Sequence, residues 1–285
     1  MSKISAADKE VWDDIEKRCY ADQAIWALNG FWEKLESEAE MIWTWVQKMG
    51  ELDEAKGAAG CELDEFWSHK FLESLGETMT VIAMREAFRK IDADFNKRMS
   101  ILEYIMFRYN IEPHEMCTAP QGGGDAEKIA KAQKMVAEAQ KAVEAMNKAL
   151  AAAEKAEAEN KAALAELQAQ EKAFADKMAQ LEKMSKDESI GLVKRNRAAN
   201  ELEQLKAEDP LPLQRAKINQ AATVRKSEKA TKAAEAAVAN AEAKLQEALE
   251  FLQNAKKSGG VAQGQIWWME RELKEKQKYL PAKRR

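Results

Sequence analysis

The sequence predicts an all-α protein in three segments, namely a compact head, a long helical arm and a short C-terminal helix. Six of the eight tryptophans lie in residues 1–120, and aromatic side chains can build a compact core there. Residues 121–265 are rich in Ala, Glu and Lys and contain only two aromatic residues, a composition typical of long helices. Three aromatic residues follow in the last twenty positions. The predicted boundaries are 1–120 for the head, 125–257 for the arm and 265–285 for the tail.

Composition excludes several classes of protein. The mean hydropathy is −0.58 and no apolar run approaches the ~20 residues of a membrane-spanning helix. The N-terminus lacks a signal peptide, and Cys19, Cys61 and Cys117 lack CxxC spacing, so we expect a cytoplasmic protein with reduced thiols. Two histidines, no nucleophile–base arrangement and no phosphate-binding loop argue against an enzyme.

Charge is distributed unevenly along the chain. Residues 1–120 carry 24 acidic and 14 basic side chains, whereas the remainder carries 25 acidic and 31 basic ones. An acidic head and a basic tail suggest self-association, including an intramolecular contact between head and tail, or a separate partner for each end.

Residues 22–46 predict an aromatic-rich amphipathic helix whose apolar face belongs to the core of the head. Apolar residues recur there in steps of three and four, which places them on one helix face. They are Ile25, Leu28, Trp32, Leu35, Ala39, Ile42 and Val46.

Residues 92–103, DADFNKRMSILE, have the spacing of an EF-hand calcium loop between two helical flanks. Such a loop supplies oxygen ligands from positions 1, 3, 5, 7, 9 and 12, and calcium prefers six to eight oxygens. The predicted ligands are Asp92, Asp94, Asn96, Arg98 through its carbonyl, Ser100 and Glu103.

Two features qualify this loop. Lys97 occupies position 6, where glycine is usual because the backbone needs a positive φ, so the calcium affinity is expected to be modest. Leu63 lies 36 residues before Met99, a spacing typical of two paired EF-hand loops. The sister loop around 56–67 lacks the ligands, so we expect it to complete the lobe without binding metal.

The arm predicts helices over about 125–183, 192–208 and 213–256. An apolar seam in the first includes Val136, Met146 and Leu164, and one in the last includes Thr231 and Leu245. Pro210 and Pro212 are expected to break the chain. The pattern leaves open whether 125–208 is one helix or two, and whether the arm is an antiparallel helical hairpin or an irregular three-helix bundle. It also leaves open whether the arm is a structural spacer or a binding surface.

The tail predicts a short amphipathic helix with an aromatic and a basic end. Trp267 and Trp268 precede a terminal basic cluster, and such a helix can cap the arm or lie in a hydrophobic groove. Nucleic-acid binding is not expected because the basic patch is small and mixed with glutamates, and membrane binding needs a longer apolar face. The basic cluster consists of Lys283, Arg284 and Arg285.

Four blocks of the sequence are similar to a known family. They are QAIWALNGFWEKLESEAEMIW (23–43), the calcium loop with SILEYIMFRY (100–109), ANELEQLKAEDPLPLQRAKINQAATVRKS (199–227) and IWWMERELKEKQK (266–278). Taken in this order, the blocks resemble the calcium-regulated actin-bundling proteins of amoeboid protists. The C-terminal block, in which WWM precedes basic residues, is specific evidence for this resemblance.

The resemblance implies a protein of the actin cytoskeleton that binds and bundles F-actin, with bundling inhibited by calcium. Actin contacts are expected mainly in about 195–257, with weaker contributions from head and tail. This chain departs from the family at Lys97 and in its longer segment 183–198. The candidate partners of actin's acidic surface are Arg215, Lys217, Arg225 and Lys226.

The alternative hypothesis belongs to another functional class. The protein would then be a calcium sensor or buffer whose helical arm binds a non-actin protein. Filament pelleting separates the two hypotheses, because the alternative predicts that the protein does not pellet with actin filaments.

Overall fold

A computed structural model describes residues 3–76, 81–122, 126–207, 209–257 and 262–281, with only the backbone at 81, 82 and 84. These residues form helices and one pair of short strands, so the all-α prediction is confirmed. None of the helices found in these residues combines the length and the apolar character that crossing a membrane requires.

Eight helices and two short strands make up residues 3–122 as far as they are described. Their largest fully buried side chains include Trp12, Tyr20, Phe71 and Tyr104. The helices are α1 (Lys9–Glu16), α2 (Tyr20–Gly30), α3 (Trp32–Leu35), α4 (Ala39–Leu52), α5 (Glu65–Ser74), α6 (Val81–Ile91), α7 (Ile101–Tyr109) and α8 (Pro113–Thr118), and the strands are β1 (Glu62–Asp64) and β2 (Arg98–Ser100).

The prediction of one helix over 22–46 is wrong. The helical backbone is interrupted at Phe31, whose φ of −128° and ψ of 35° lie outside the helical region. Gly30 allows a close approach at this point, because a Cβ there would lie 2.4 Å from the Cβ of Ala119. A 3₁₀ turn, Glu36–Glu38, then precedes α4. Most of the predicted apolar face is nevertheless buried.

The two strands join the two loops of the head. β1 and β2 pair antiparallel, with Leu63 opposite Met99, as the spacing of these residues predicts. Both side chains are buried in the core of the head. The strand pair therefore fixes the loop at 92–100 against the segment that precedes α5.

The described residues of the arm form three helices, so residues 126–207 contain two helices rather than one. They are α9 (Ala126–Lys186), α10 (Leu192–Ala207) and α11 (Leu211–Lys257). A turn separates the first two, and in it Asp187 Oδ1 accepts a hydrogen bond of 2.9 Å from the backbone nitrogen of Ser189. Pro212 lies inside α11 instead of before it, because a proline is tolerated in the first turn of a helix.

Helices α9 and α11 run antiparallel. Lys244 of α11 lies 3.4 Å from Glu138 of α9, and Lys226 of α11 forms an ion pair with Glu159 of α9. Helix α10 contacts the end of α9 through a small cluster of Leu181, Ala198 and Leu202.

Two predicted seam positions of the arm are wrong. Leu164 is 42% exposed and Thr231 is also exposed. Ala163, the neighbour of Leu164, is buried instead. One helical turn before it, the side-chain oxygen of Asn160 accepts a long hydrogen bond from the hydroxyl of Thr223 in α11. The buried seam of α9 thus passes through a polar position that the hydrophobic pattern treats as an interruption.

Helix α12 (Gln263–Gln277) forms the described part of the tail. The chain divides into two compact units, Met1–Ala137 with Gln246–Glu275, and Glu138–Leu245 with Lys276–Arg285. Helix α12 therefore belongs, up to Glu275, to the same compact unit as the head.

Candidate metal centre and basic arm

The loop between α6 and α7 is closed by Glu103. Ser100 caps α7, since its hydroxyl accepts from the backbone nitrogen of Glu103 while the Glu103 carboxylate accepts from the Ser100 nitrogen at 2.9 Å. The other carboxylate oxygen of Glu103 accepts from the backbone nitrogen of Ala93 at 2.8 Å. This reciprocal cap holds the carboxylate inside the loop, and burial raises the pKa of Glu103 well above its ordinary value.

Asp92 presents an oxygen that lacks a partner. The residue is 7% exposed, and its Oδ2 accepts from the backbone nitrogen of Lys97 at 3.1 Å. Its Oδ1 is buried with no hydrogen-bond partner among the described residues. Burial raises the pKa of Asp92, because the charged form loses its hydration there. A buried carboxylate oxygen of this kind fits a site for a cation.

Asp94 and Glu103 meet a third carboxylate that the sequence did not predict. One oxygen each from Glu16, Asp94 and Glu103 lie within 4.8 Å of one another. Burial, followed by the neighbouring Asp94, raises the pKa of Glu16 to about 8. Glu16 ends α1, 78 positions before Asp94 in the chain, so no motif spacing could have identified it.

The other predicted ligands make internal contacts. Asn96 Oδ1 accepts from the backbone nitrogen of Arg98 at 2.6 Å, and its amide nitrogen donates to Glu16 and Glu62. The Arg98 guanidinium lies 3.2 Å from Glu62, and the Ser100 hydroxyl serves the cap of α7. The structure therefore gathers Asp94 and Glu103 in one cluster and places Asp92 at its loop position with a free oxygen. The Asn96 and Ser100 oxygens accept hydrogen bonds from backbone nitrogens, and the Arg98 contact involves its guanidinium instead of the carbonyl predicted as a ligand.

The backbone of the loop shows the conformation that position 6 was expected to need. Lys97 has a φ of 61°, and Phe95, which was not predicted to be unusual, has a φ of 66°. Both lie in the left-handed region, which costs a non-glycine residue roughly 1–2 kcal/mol. The candidate metal-binding atoms of the carboxylate cluster are all oxygens, which are the ligands that hard cations such as calcium prefer.

The sister loop is organised by a side chain instead of a metal-binding pattern. Asp53 Oδ1 accepts from the backbone nitrogens of Ala55 and Lys56, and Asp53 Oδ2 accepts from the Tyr20 hydroxyl at 3.0 Å. Gly60 is required beside it, because a Cβ there would lie 1.8 Å from Asp53 Oδ2. One carboxylate thus supports the turn that leads into β1.

The four basic candidates on α11 fall into two groups. Arg215 and Arg225 are exposed. Lys217 forms an ion pair with Asp209, and Lys226 forms one with Glu159 of α9. At about 100° per residue, Arg215 and Arg225 project away from the buried face of α11. Two exposed aliphatic residues, Leu211 and Ile218, accompany them, and the hydrophobic pattern of the sequence does not single these out.

The tail helix contacts the head. Trp268 is 2% exposed, and its ring centroid lies 4.6 Å from that of Trp43 in α4, while Trp267 is partly buried against the same core. The Arg271 Nε lies 2.8 Å from both carboxylate oxygens of Glu40. The intramolecular head–tail contact suggested by the charge distribution is therefore present. The predicted cluster Lys283, Arg284 and Arg285 lies outside the described residues.

Gly264 and Asn29 let the tail helix α12 approach helix α2 closely. A Cβ at Gly264 would lie 2.5 Å from the Cβ of Leu28 in α2, so a larger residue would clash there. Asn29 accepts a hydrogen bond of 2.8 Å from the backbone nitrogen of Gln265 and thereby satisfies a donor in the first turn of α12.

Comparison with known proteins gives three findings. Residues 125–259 match the family model "F actin bundling C terminal". The chain is 27% identical over 320 aligned positions to a calcium-regulated actin-bundling protein of Dictyostelium discoideum, covering 99% of this chain and 92% of that protein. The crystal structure of the 34 kDa F-actin bundling protein from the same organism has a similar fold. It aligns with a TM-score of 0.54 at 22% identity and covers 98% of this chain and 100% of its own.

These findings agree with the four sequence blocks on which the resemblance was based. The similarity extends along nearly the whole chain, and the family model covers the Ala-rich arm, whose composition alone identifies no family. The resemblance to the calcium-regulated actin-bundling proteins is thereby confirmed, and residues 125–259 match the model of the F-actin bundling C-terminal family.

Proposed function

We propose that this protein is a calcium-regulated crosslinker of actin filaments in the actin cytoskeleton of the cytoplasm. F-actin is the proposed partner. The observation that carries the proposal is the match of residues 125–259 to the F-actin bundling C-terminal family. The similarity of nearly the whole chain to a calcium-regulated actin-bundling protein supports the regulatory part.

In this proposal each segment has its own role. Residues 1–120 form an EF-hand lobe, which the pairing of Leu63 with Met99 between two loops supports. Residues 125–257 form the filament-binding arm, and the ion pairs between α9 and α11 support an antiparallel helical hairpin with α10 at its side. Residues 265–285 form a regulatory tail, with Trp267, Trp268 and the terminal basic cluster as its functional residues.

The metal ion of the lobe is proposed to be calcium. Its proposed ligands, besides Asp92 with its free buried oxygen, are Asp94, Asn96, the carbonyl of Arg98, Ser100 and Glu103. Bound calcium would supply the positive charge that the clustered carboxylates need. Asn96 and Ser100 exchange their present hydrogen bonds for this role, since their oxygens accept from backbone nitrogens in the structure.

The filament-binding surface of the arm is proposed to be the outer stripe of α11. We define the outer stripe as Leu211, Arg215, Ile218, Arg225 and Lys229, which lie at helical spacing and are all exposed. Leu211 and Ile218 are 67% and 71% exposed. Basic side chains interleaved with exposed aliphatic ones suit an acidic protein surface that also offers apolar contacts.

Calcium is proposed to inhibit bundling without abolishing filament binding. Crosslinking needs two filament-binding surfaces per particle, whereas binding needs one. Occlusion of one surface in the calcium-bound form would therefore remove bundles and leave single-filament binding intact.

Sedimentation with actin filaments tests this function. Low-speed pelleting measures bundles, and high-speed pelleting measures binding. With chelator we expect actin to pellet with the protein at both speeds. With calcium we expect only high-speed pelleting, and Glu103→Gln should bundle in both conditions. Absence of pelleting at either speed would reject the proposal and favour a calcium sensor or buffer for a non-actin partner.

Charge reversals locate the surface on α11. Arg225→Glu is expected to weaken high-speed pelleting strongly. Added salt should weaken the pelleting of the wild-type protein as well, because exposed charges are screened. Lys226→Glu, the neighbouring control, should weaken it less, because Lys226 already pairs with Glu159. Equal losses for the two variants, or none, would place the surface elsewhere on the arm.

A further inference from the structure

Glu16 reaches the loop from a different part of the chain. It is the last residue of α1, yet one of its carboxylate oxygens lies within 4.8 Å of oxygens from Asp94 and Glu103. Oxygens that bind the same calcium ion are at most about 5 Å apart, since each lies 2.3–2.6 Å from the ion. The three carboxylates therefore have the separation of ligands that share one ion.

The position of Glu16 is fixed by Gln23 in α2. The Gln23 side chain is fully buried, and its amide nitrogen lies 2.8–2.9 Å from three backbone carbonyl oxygens that share its two N–H groups, those of Glu16, Arg18 and Cys61. Its own oxygen faces the backbone nitrogen of Leu102 in α7 at 3.4 Å. One side chain thus ties the end of α1 to the sister loop and to the helix that carries Glu103.

This arrangement is electrostatically unfavourable without a cation. Three carboxylates at this distance repel one another when ionised. The C-terminal end of a helix, where Glu16 lies, carries a partial negative charge and disfavours an acidic side chain. Asp92, at position 1 of the same loop, has a buried oxygen with no hydrogen-bond partner among the described residues, which independently indicates that the loop holds a cation.

We propose that Glu16 is a calcium ligand from outside the twelve-residue loop, completing the oxygen set with Asp94 and Glu103. The inference rests on the proposed calcium site and adds to it a residue that no loop motif includes. It follows that calcium fastens α1 to the loop, so the ion orders the N-terminal helix as well as α6 and α7. A fourth carboxylate also offsets the cost of Lys97 in the loop, because ligand charge increases calcium affinity.

Four variants of the full chain test the proposal by calcium calorimetry. Glu16→Gln removes the charge, and Glu16→Asp keeps the charge but shortens the reach. We expect both to weaken calcium binding by roughly tenfold, because a ligand must touch the ion. Asp13→Asn, which removes a neighbouring charge on the same helix, should change affinity less than about twofold. Glu103→Gln should abolish binding.

Hydrogen exchange gives a readout that does not depend on affinity. At saturating calcium, the backbone amides of α1 should exchange more slowly than with chelator in the wild type. In Glu16→Gln this protection of α1 should be lost, while the loop and α7 remain protected.

The outcomes separate this inference from the proposed calcium site. Wild-type affinity in Glu16→Asp would show that Glu16 acts at most through its charge and would overturn the inference. So would calcium-dependent protection of α1 in Glu16→Gln. If the wild type itself binds no calcium, the proposed site fails and the inference fails with it.

Discussion

At the scale of single residues, the loop combines a strained backbone with crowded carboxylates. Phe95 and Lys97, two positions apart, both have positive φ. Asp92, Glu103 and Glu16 all have raised pKa values, chiefly because they are buried. Both features are tolerated in the folded head because the surrounding core and the capping box of α7 hold the loop in place.

Substitutions at Lys97 measure the backbone strain. The side chain is exposed, so its removal costs little packing. Lys97→Gly and Lys97→Val remove the same charge, but only glycine adopts a positive φ without a steric penalty. We expect the valine variant to be less stable than the glycine variant by roughly 1–2 kcal/mol in chemical unfolding without calcium. Equal stabilities would indicate that the loop changes conformation to accommodate valine.

The raised pKa of Glu16 predicts a pH-dependent stability of the calcium-free protein. A carboxyl group whose pKa is higher in the folded state stabilises the fold below its unfolded value and loses this contribution as pH rises through the folded value. For Glu16 the loss falls between about pH 4.5 and about pH 8. Thermal unfolding with chelator should therefore show a decreasing Tm over this range, and Glu16→Gln should flatten the decrease. An unchanged slope in the variant would contradict the assignment.

The same shift predicts proton release on calcium binding. Below about pH 8 the Glu16 carboxyl is protonated in the calcium-free state, and a ligand must give up its proton. Calcium affinity should thus rise with pH up to about pH 8. Calorimetry in buffers with different ionisation enthalpies measures the protons released, and their number should fall in Glu16→Gln. Equal proton release in both proteins would exclude Glu16 as the source.

At the scale of elements, α11 separates a buried face from an exposed one. Its small and aliphatic seam includes Ala241, Leu245 and Ala248, all nearly inaccessible. The outer stripe lies on the opposite face, where aliphatic residues at Leu211 and Ile218 gain nothing from the fold of the arm. Exposed aliphatic side chains beside arginines suit a contact surface for another protein.

Ile218→Ala tests whether the aliphatic part of the outer stripe contributes to filament binding. We expect a loss of affinity of roughly fivefold or more in high-speed pelleting, as for an apolar contact near the centre of an interface. The Tm should change little, because Ile218 is 71% exposed. Leu164→Ala is the matched control, since this leucine is also exposed but lies on α9. Normal pelleting of Ile218→Ala would restrict the surface to its charged residues.

At the scale of the whole molecule, the tail helix is part of the core of the head. Trp268 belongs to the same buried cluster as Trp12 and Trp45. Leu28 and Asn29, which contact the start of α12, lie in the same helix as Gln23, which contacts α7. Helix α2 thus contacts both the start of α7, which follows the loop, and the tail helix α12.

Loss of Trp268 should destabilise the head strongly. Truncation of a buried tryptophan typically costs about 3–5 kcal/mol, because it leaves a cavity and removes apolar burial. Trp268→Ala is therefore expected to lower the stability in chemical unfolding far more than Trp267→Ala, whose side chain is only partly buried. Similar losses for both variants would mean that the tail is not held on the head in solution.

Arg271→Gln tests the coupling between tail and calcium without emptying the core. It removes the paired contact with Glu40, which holds α12 on α4. If calcium shifts the docking of the tail, the tail must in turn alter calcium affinity. We expect a change of affinity of a few-fold, roughly 1 kcal/mol of coupling, and a weaker effect of calcium on bundling. Lys274→Gln, whose lysine pairs within α12, is the control. Unchanged affinity in Arg271→Gln would assign the switch to the head alone.

Much of the helical architecture could be predicted because it is encoded locally. Three features depend only on spacing along the sequence. They are the periodic apolar residues of α9 and α11, the ligand spacing within the twelve-residue loop, and the 36 positions between Leu63 and Met99. Such relations determine which face of an element is apolar and which loop positions can offer oxygens. The helix boundaries of the arm accordingly lie within a few residues of those predicted.

By itself, the sequence determined the all-α class, the position of the twelve-residue loop 92–103 and the resemblance to the actin-bundling proteins. Only the tertiary structure decided that Glu16 lies beside the loop, that the helix predicted over 22–46 is interrupted at Phe31, that Lys226 pairs with Glu159, and where α12 packs. Each of these depends on side chains far apart in the chain, which meet only when helices pack. These contacts form because packing brings the helices close together and buries their side chains, and no spacing along the sequence predicts them.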